Sequence, residues 1–173
     1  MTTRELVEAA GQRNVSAVSY HFGSREGLLA EVLARRGGPV DRERGACRAR
    51  LGRRPDPAEL VGCLVVPYAT LLHADAGRAY LQIVAQLRGR FAMWRAESDP
   101  ATTEHLARIL DELERLPGAP APVQRERVVA LIMLLTASVA ERARRIDDGR
   151  GNELDHEAFV ANLVHMGTAL VAS

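Results

Sequence analysis

The chain contains no lysine, and all 23 of its basic residues are arginine. An arginine guanidinium is planar, permanently charged and shaped for paired hydrogen bonds with phosphate or carboxylate. A bias toward GC-rich codons explains this composition more simply than a functional demand does. In either case, every cationic side chain of the protein is of the kind that binds such anions well.

Aromatic residues are also scarce: they make up 4% of the 173 residues, although 47% of the residues are hydrophobic. Aliphatic side chains must therefore fill most of the core. Alternating runs of β-branched residues, which are typical of strands, are rare, and Ala, Leu, Val and Arg dominate. The composition predicts an all-α fold.

The only two cysteines, Cys47 and Cys63, do not form a C-x-x-C pair. Together with the lack of an apolar leader, this predicts a reduced protein in the cytoplasm. The longest apolar stretch, "VVALIMLLTASVA" at 128–140, is shorter than the roughly 20 residues that span a bilayer. We therefore expect a buried helix there and no membrane partner.

Motifs of the common enzyme classes are missing from the sequence. There is no H-E-x-x-H, no G-x-S-x-G and no Gly-rich phosphate loop. His156 and His165 are too far apart for one helical turn, and no other ligands occur at turn spacing. We predict that the chain is not an enzyme and that it has neither a metal site nor a cofactor.

The charge is unevenly distributed along the chain. Residues 1–54 carry 11 arginines against 6 acidic residues, a net charge of +5, whereas residues 55–173 carry 12 against 16, a net charge of −4. The positive net charge of the N-terminal residues 1–54 indicates contact with a polyanion. A solvated arginine-rich linker would give the same count.

Capping residues and glycines predict the first helices. A helix runs from about Thr2 to Ala10, a second covers about 16–22, and Ser24 caps a third through about Arg36. We expect "GGP" at 37–39 to interrupt it. The stretch 40–54 has few large apolar residues, so it could form a continuing exposed helix or a linker. We favour the helix.

Capping residues and proline-rich loops further along the chain divide the rest of it into predicted helices. Asp56 caps the next one, and "PGAPAP" at 117–122 is a loop. The predicted helices are 57–73, 76–93, about 98–116, 123–147 and 155–171.

The last two predicted helices, 123–147 and 155–171, are unusually apolar. Two neighbouring stripes on the final helix give it a broad apolar face; they consist of Phe159, Leu163, Met166 and Leu170, and of Val160, Val164 and Val171. Burial within one protomer would explain this face, but a four-helix interface between two copies explains it better. We predict a homodimer through these helices.

The stretch "TTRELVEAAGQRNVSAVSYHFGSREGLL" has the pattern of a helix-turn-helix, with its second helix placed for the major groove. Asn14 and Ser16 carry hydrogen-bonding groups near the start of that helix, and Ala17 is suited to a thymine methyl. Arg13 and Arg25 flank it, where they would contact phosphates. An ordinary helical hairpin would show the same general pattern.

Three features of this stretch together resemble the DNA-binding segment of TetR-family transcriptional regulators. They are the "AAG" turn, the "YHF" end of the recognition helix, and the "SRExLL" opening of the next helix. The resemblance covers about residues 2–36. It implies a homodimeric repressor that a small hydrophobic ligand releases from operator DNA. By motif position, the phosphate-holding residues would be Thr3, Tyr20, His21 and Arg25, and the base-facing residues Ser16, Ala17 and Ser19.

The chain departs from that family in two respects. Its turn is one residue longer than the commoner form, which leaves the base-facing register open by one position. The family also has a helix before this segment, which covers the apolar face of the next helix. Here it is absent, so we expect the true start to lie upstream of Met1. A truncated sensor that no longer binds DNA is the alternative.

The resemblance divides the chain into a DNA-binding module, residues 1–38, and a helical ligand-binding and dimerisation domain, residues 39–173. A ligand pocket among the middle helices would draw on polar and aromatic side chains, each of which has a purely structural explanation as well. The candidates are Tyr68, His73, Tyr80, Trp94, His105 and Met133, with Gln86 and Met93 beside them.

Overall fold

The computed structural model describes residues 20–87 and 100–173, and within these ranges it contains helices and no strand. The predicted all-α class is confirmed. A short 3-10 helix, Thr70–His73, follows the second α-helix. The α-helices are α1 Arg25–Arg50, α2 Pro57–Ala69, α3 Asp75–Leu87, α4 Pro100–Glu114, α5 Ala121–Asp147 and α6 His156–Ala172.

Side-chain caps fix the starts of three of these helices, because they accept bonds from amides that lack a helical partner. The hydroxyl of Ser24 accepts from the amide of Gly27 at 3.0 Å. Asp56 and Glu59 form a reciprocal capping box, with bonds of 2.8 and 2.9 Å. Asp155 accepts from the amide three residues later at 2.8 Å. The predicted caps at Ser24 and Asp56 are confirmed.

Helix α1 runs without interruption through residues 37–39, so the break predicted there is wrong. Pro39 has no amide hydrogen, which leaves the carbonyl of Arg35 without its usual helical partner. The residues that follow compensate for this loss, because Val40 and Asp41 are buried against the rest of the fold. The helix therefore crosses the predicted boundary at residue 38 as one element.

Helix α2 lies at the centre of the fold and packs against α1, α4 and α6, while α5 packs against α3, α4 and α6. The core between them is largely aliphatic, as the low aromatic content predicted. The fully buried side chains include Leu60, Val61, Leu64, Val65, Leu81, Ile109, Leu110, Leu113, Leu131, Leu135 and Leu163.

Two glycines allow parts of this core to approach closely. A Cβ added to Gly167 of α6 would lie 2.7 Å from Leu131 and 3.0 Å from Val61. A Cβ added to Gly77 of α3 would lie 2.2 Å from the carbonyl oxygen of Leu71. The first contact sets the spacing of α6 against α5 and α2, and the second fits α3 tightly against the 3-10 helix.

A buried amide side chain joins three helix ends. Gln124, near the start of α5, donates to the carbonyl of Leu113 at 3.0 Å and to that of Val171 at 2.9 Å. Both carbonyls lie in the last turn of their helices, where partners within the helix run out. Gln124 therefore fixes the ends of α4 and α6 against α5.

Candidate functional site

The segment just before α1 presents polar aromatic side chains to solvent. Tyr20 is 85% exposed, and its ring meets that of the exposed His21 edge-on, with 5.0 Å between centroids. Gly23 then adopts a left-handed backbone conformation with φ of 70°. A Cβ added to Gly27 would lie 2.0 Å from the carbonyl oxygen of Phe22. Glycine at position 27 therefore allows the carbonyl of Phe22 to lie directly against the first turn of α1.

Most of the predicted DNA-binding set lies outside the described residues. Of that set the structure describes Tyr20 and His21 in full and, for Arg25, only the backbone at the start of α1. The residues outside the described ranges are Thr3, Arg13, Asn14, Ser16, Ala17 and Ser19.

In the second half of α1 a cation is buried. Arg44 is only 8% exposed, and burial lowers the pKa of its guanidinium. Its Nε has no hydrogen-bond partner within the described ranges 20–87 and 100–173. Among the described residues, no carboxylate forms an ion pair with it. Burying a charge without such a partner is costly, so this position differs from an ordinary core position.

Two tyrosines lie beside this cation. The Cζ of Arg44 is 5.8 Å from the centroid of the Tyr68 ring, within the range of a cation–π contact. The Tyr68 hydroxyl is buried and has no hydrogen-bond partner in the part of the chain that the structure describes. Tyr80 of α3 is close enough to Arg44 to interact with its charge, and its hydroxyl lies against Gly37. We call the group of Arg44, Tyr68 and Tyr80 the Arg44 site.

Burial raises the pKa of Tyr68 and also that of Tyr80. Both hydroxyls therefore keep their protons at neutral pH and can act as hydrogen-bond donors. The Arg44 site combines one positive charge with these two donors. Such a set is suited to an acceptor group that carries negative charge.

The nearest acid, Asp41, is already engaged elsewhere. One of its carboxylate oxygens accepts from the amide of His105 at 2.9 Å, and the other accepts from that of Leu106 at 2.8 Å. The side chain is 3% exposed. Asp41 therefore anchors α4 to α1, and it supports the charge of Arg44 only through space.

The other predicted ligand-binding residues do not join this site. His105 lies over Gly45 and lines an open groove of about 330 Å³ between α1 and α4. Met133 is half-buried on α5, and His73 is exposed at the end of the 3-10 helix. Trp94 lies outside the described residues. The structure thus brings together Tyr68 and Tyr80 of the predicted set.

Two imidazoles meet elsewhere on the surface. The rings of His73 and His156 lie 4.3 Å apart between centroids. Burial is the main cause that lowers the pKa of His156, and the positive charges of His73 and Arg142 add to it. The carboxylates of Asp155 and Glu157 act in the opposite direction. His156 therefore favours its neutral form in the folded protein.

The two cysteines are free thiols on neighbouring helices. Cys63 of α2 is fully buried, and its burial, together with a hydrogen bond to Cys47, raises the pKa of its thiol to about 12. At neutral pH almost none of this thiol is ionised, so it is a poor nucleophile. Cys63 contributes to packing between α1 and α2.

Beyond these groups, the molecule shows few features that indicate its functional class. In the parts of the chain that are described, no helix combines the length and apolar character needed to cross a membrane. The same parts hold no cluster of three or more metal-binding side chains. No known protein-family model matches the chain, and no curated protein matches it at significance. The likeness of residues 2–36 to the TetR family stays a prediction.

The sequence does not predict Arg44 and Asp41 as site residues, because charged residues in a stretch with few large apolar neighbours, such as 40–54, are typical of an exposed helix or a linker. A signal was present at helical spacing. Val40, Cys47 and Leu51 form an apolar stripe at i, i+7 and i+11, and Arg44 lies in the middle of it. A cation inside an apolar stripe indicates a buried charge.

Proposed function

We propose that this protein is a DNA-binding transcriptional regulator of the TetR type, a cytoplasmic homodimeric repressor that a small molecule releases from its operator. One observation carries the proposal. The exposed Tyr20–His21 pair and the buried Arg44 site are joined by the single continuous helix α1. A chain that reads DNA at one end and an effector at the other requires such a connection.

The DNA side of the proposal rests on the segment before α1. Tyr20 and His21 both project into solvent and both carry groups that hydrogen-bond phosphate oxygens. The close contact between Phe22 and Gly27 supports their position relative to α1. A fixed position matters, because phosphate contacts set the register of a recognition helix on the duplex.

The effector side rests on the geometry of α1. Arg25 and Arg44 are 19 positions apart on this helix, which corresponds to about 29 Å along its axis. An effector that changes the packing around Arg44 shifts α1 against α2 and α3. That shift reaches the segment attached at Ser24, and it alters the spacing of two recognition helices in a dimer. DNA affinity then falls through a coupling free energy between the two sites.

The dimer side rests on α5 and α6. Several apolar side chains of these helices remain half-buried within one protomer; they are Leu134, Phe159, Val160, Val164 and Met166. The small residues Ala158, Ala161 and Ala169 lie on the exposed face of α6 and permit close approach of a second copy. Pairing of α5 and α6 with their symmetry mates would bury both sets in an isologous interface.

Fluorescence anisotropy tests the proposal directly. The 173-residue protein is titrated into labelled DNA that flanks its own gene, and into scrambled DNA, across a series of salt concentrations. We expect a sequence-preferring complex whose log affinity falls steeply with log salt, because several phosphates are contacted. His21→Ala should weaken binding by about two- to tenfold, the equivalent of one hydrogen bond. Arg108→Ala, an exposed ion-paired site on α4, is the matched control and should bind like the wild type.

The absence of DNA binding at low salt, from a folded dimer, would contradict the regulator proposal for this chain. Sedimentation and circular dichroism establish the dimer and the fold independently of DNA. That result would leave a helical dimeric sensor, the alternative class that the sequence left open.

A further inference from the structure

Within residues 20–87 and 100–173, no carboxylate forms an ion pair with the Arg44 site. Arg44 is buried, and neither its Nε nor the nearby buried hydroxyl of Tyr68 has a hydrogen-bond partner in the described part of the chain. Asp41 acts on Arg44 through space only, and each of its oxygens accepts an amide of α4 instead. A neutral acceptor would satisfy the hydrogen bonds but would leave the buried charge uncompensated.

The surroundings of the site restrict the charge of its partner. Val40, Leu72 and Leu81 belong to the same apolar core as Tyr68. One guanidinium supplies one positive charge, which matches a monoanion. A phosphate dianion would bring a second negative charge into an apolar setting that offers no second cation among the described residues. A carboxylate has the single charge and the planar shape that an arginine binds through two parallel bonds.

We propose that the Arg44 site binds the carboxylate of a small organic acid whose remainder is apolar. The guanidinium of Arg44 pairs with the carboxylate, and the hydroxyls of Tyr68 and Tyr80 donate to its oxygens. The apolar part of the acid packs against the neighbouring aliphatic side chains. This inference deepens the proposed function, on which it rests for its regulatory meaning, because it names the chemical class of the effector.

The binding test needs no DNA. Benzoate, phenylacetate and octanoate are each compared with their own primary amide, at constant ionic strength and pH 7.5, by calorimetry and thermal denaturation of the full chain. Each pair has the same shape and differs in charge. We expect at least one acid to bind ten times or more tighter than its amide and to raise the melting temperature. Equal affinity of acid and amide, or no binding by any acid, overturns the proposal.

Substitutions at the Arg44 site test whether the preference for the acid over its amide arises there. Arg44→Met keeps an unbranched apolar stem and removes the guanidinium with its charge, so the preference for the acid should disappear. Tyr68→Phe should weaken the acid by about three- to tenfold, and it provides a second variant if the first does not fold. Arg108→Met, which removes an exposed arginine of α4, should leave the preference unchanged. A preference for the acid that survives both Arg44→Met and Tyr68→Phe places the binding elsewhere and overturns the proposal.

The two proposals fail separately. Arg44-dependent acid binding by a protein that binds no DNA would support the acid site and remove the regulator. Operator binding by a protein with no Arg44-dependent acid preference would support the regulator and remove the acid site. If both hold, the preferred acid should lower operator affinity at least tenfold in the wild type and should have no effect in Arg44→Met.

Discussion

Asp41→Asn offers the sharpest test of how α1 and α4 are held together. The buried carboxylate accepts two amide bonds from α4, at 2.9 and 2.8 Å. Asparagine has nearly the same shape but can present only one oxygen, and its NH2 group would face an amide that is itself a donor. The substitution also removes the negative charge nearest to Arg44.

The expected cost follows from these contacts. A hydrogen bond to a charged group contributes about 1.5–3 kcal/mol, and a buried amide left without a partner costs about 1–3 kcal/mol. The two values partly count the same lost bond, so they are not simply added. We expect the free energy of unfolding to fall by about 3 kcal/mol. For a domain with a typical stability of about 5–15 kcal/mol, this loss is large.

Urea denaturation measures this cost in a double-mutant cycle of wild type, Asp41→Asn, Arg44→Met and the double variant. The cycle separates the loss of the hydrogen bonds from the loss of the interaction between the charges of Asp41 and Arg44. Removal of the Arg44 charge should make the loss of the Asp41 charge less costly, with a coupling energy of about 1 kcal/mol. Arg44→Met alone should leave the apo protein as stable or more stable, because it removes a buried charge that has no ion pair with any described residue. A loss below about 1 kcal/mol for Asp41→Asn would refute the role of its carboxylate as the anchor.

Three further substitutions test other parts of the fold. Gly77→Ala places a Cβ 2.2 Å from the carbonyl oxygen of Leu71 and should lower the free energy of unfolding by about 1–3 kcal/mol; an unchanged urea midpoint would contradict the close contact. Gln124→Leu leaves two last-turn carbonyls without their donor and should cost about 1–3 kcal/mol, whereas a neutral result would mean that water replaces the amide. The lowered pKa of His156 means that the unfolded state binds its proton more tightly, so stability should fall as the pH drops through about 6.5, the ordinary histidine value. His156→Gln should reduce that loss in thermal melts between pH 5 and 8, and an identical pH profile would refute the assignment.

Local signals predicted much of the fold because the physical causes are local. The caps at Ser24 and Asp56 lie where the sequence places them, and the loop predicted at 117–122 lies at 115–120, between α4 and α5. The prediction of a break at 37–39 was wrong because the deciding cause there is not local. Gly and Pro lower helix propensity locally, but tertiary packing of α1 against α2 and α4 outweighs that loss.

The candidate site was less predictable from the sequence. Tyr68 and Tyr80 were among the predicted ligand-binding residues, but Arg44, which joins them, was not. Its burial depends on side chains from α2 and α3 that are 24 and 36 positions away in the chain. Helical periodicity shows that Arg44 shares a stripe with Val40. It does not show which distant helices cover that stripe.

The uninterrupted course of α1 through 37–39 has a mechanical consequence. Pro39 supplies no amide hydrogen, so the helical hydrogen-bond ladder misses a rung at the carbonyl of Arg35, and Gly37 and Gly38 add backbone freedom beside it. The helix is therefore most easily bent at residues 37–39, and the helical segment on each side of them is stiffer. Bending forces on either end of α1 concentrate there, so the direction in which its first half swings is set by three consecutive residues.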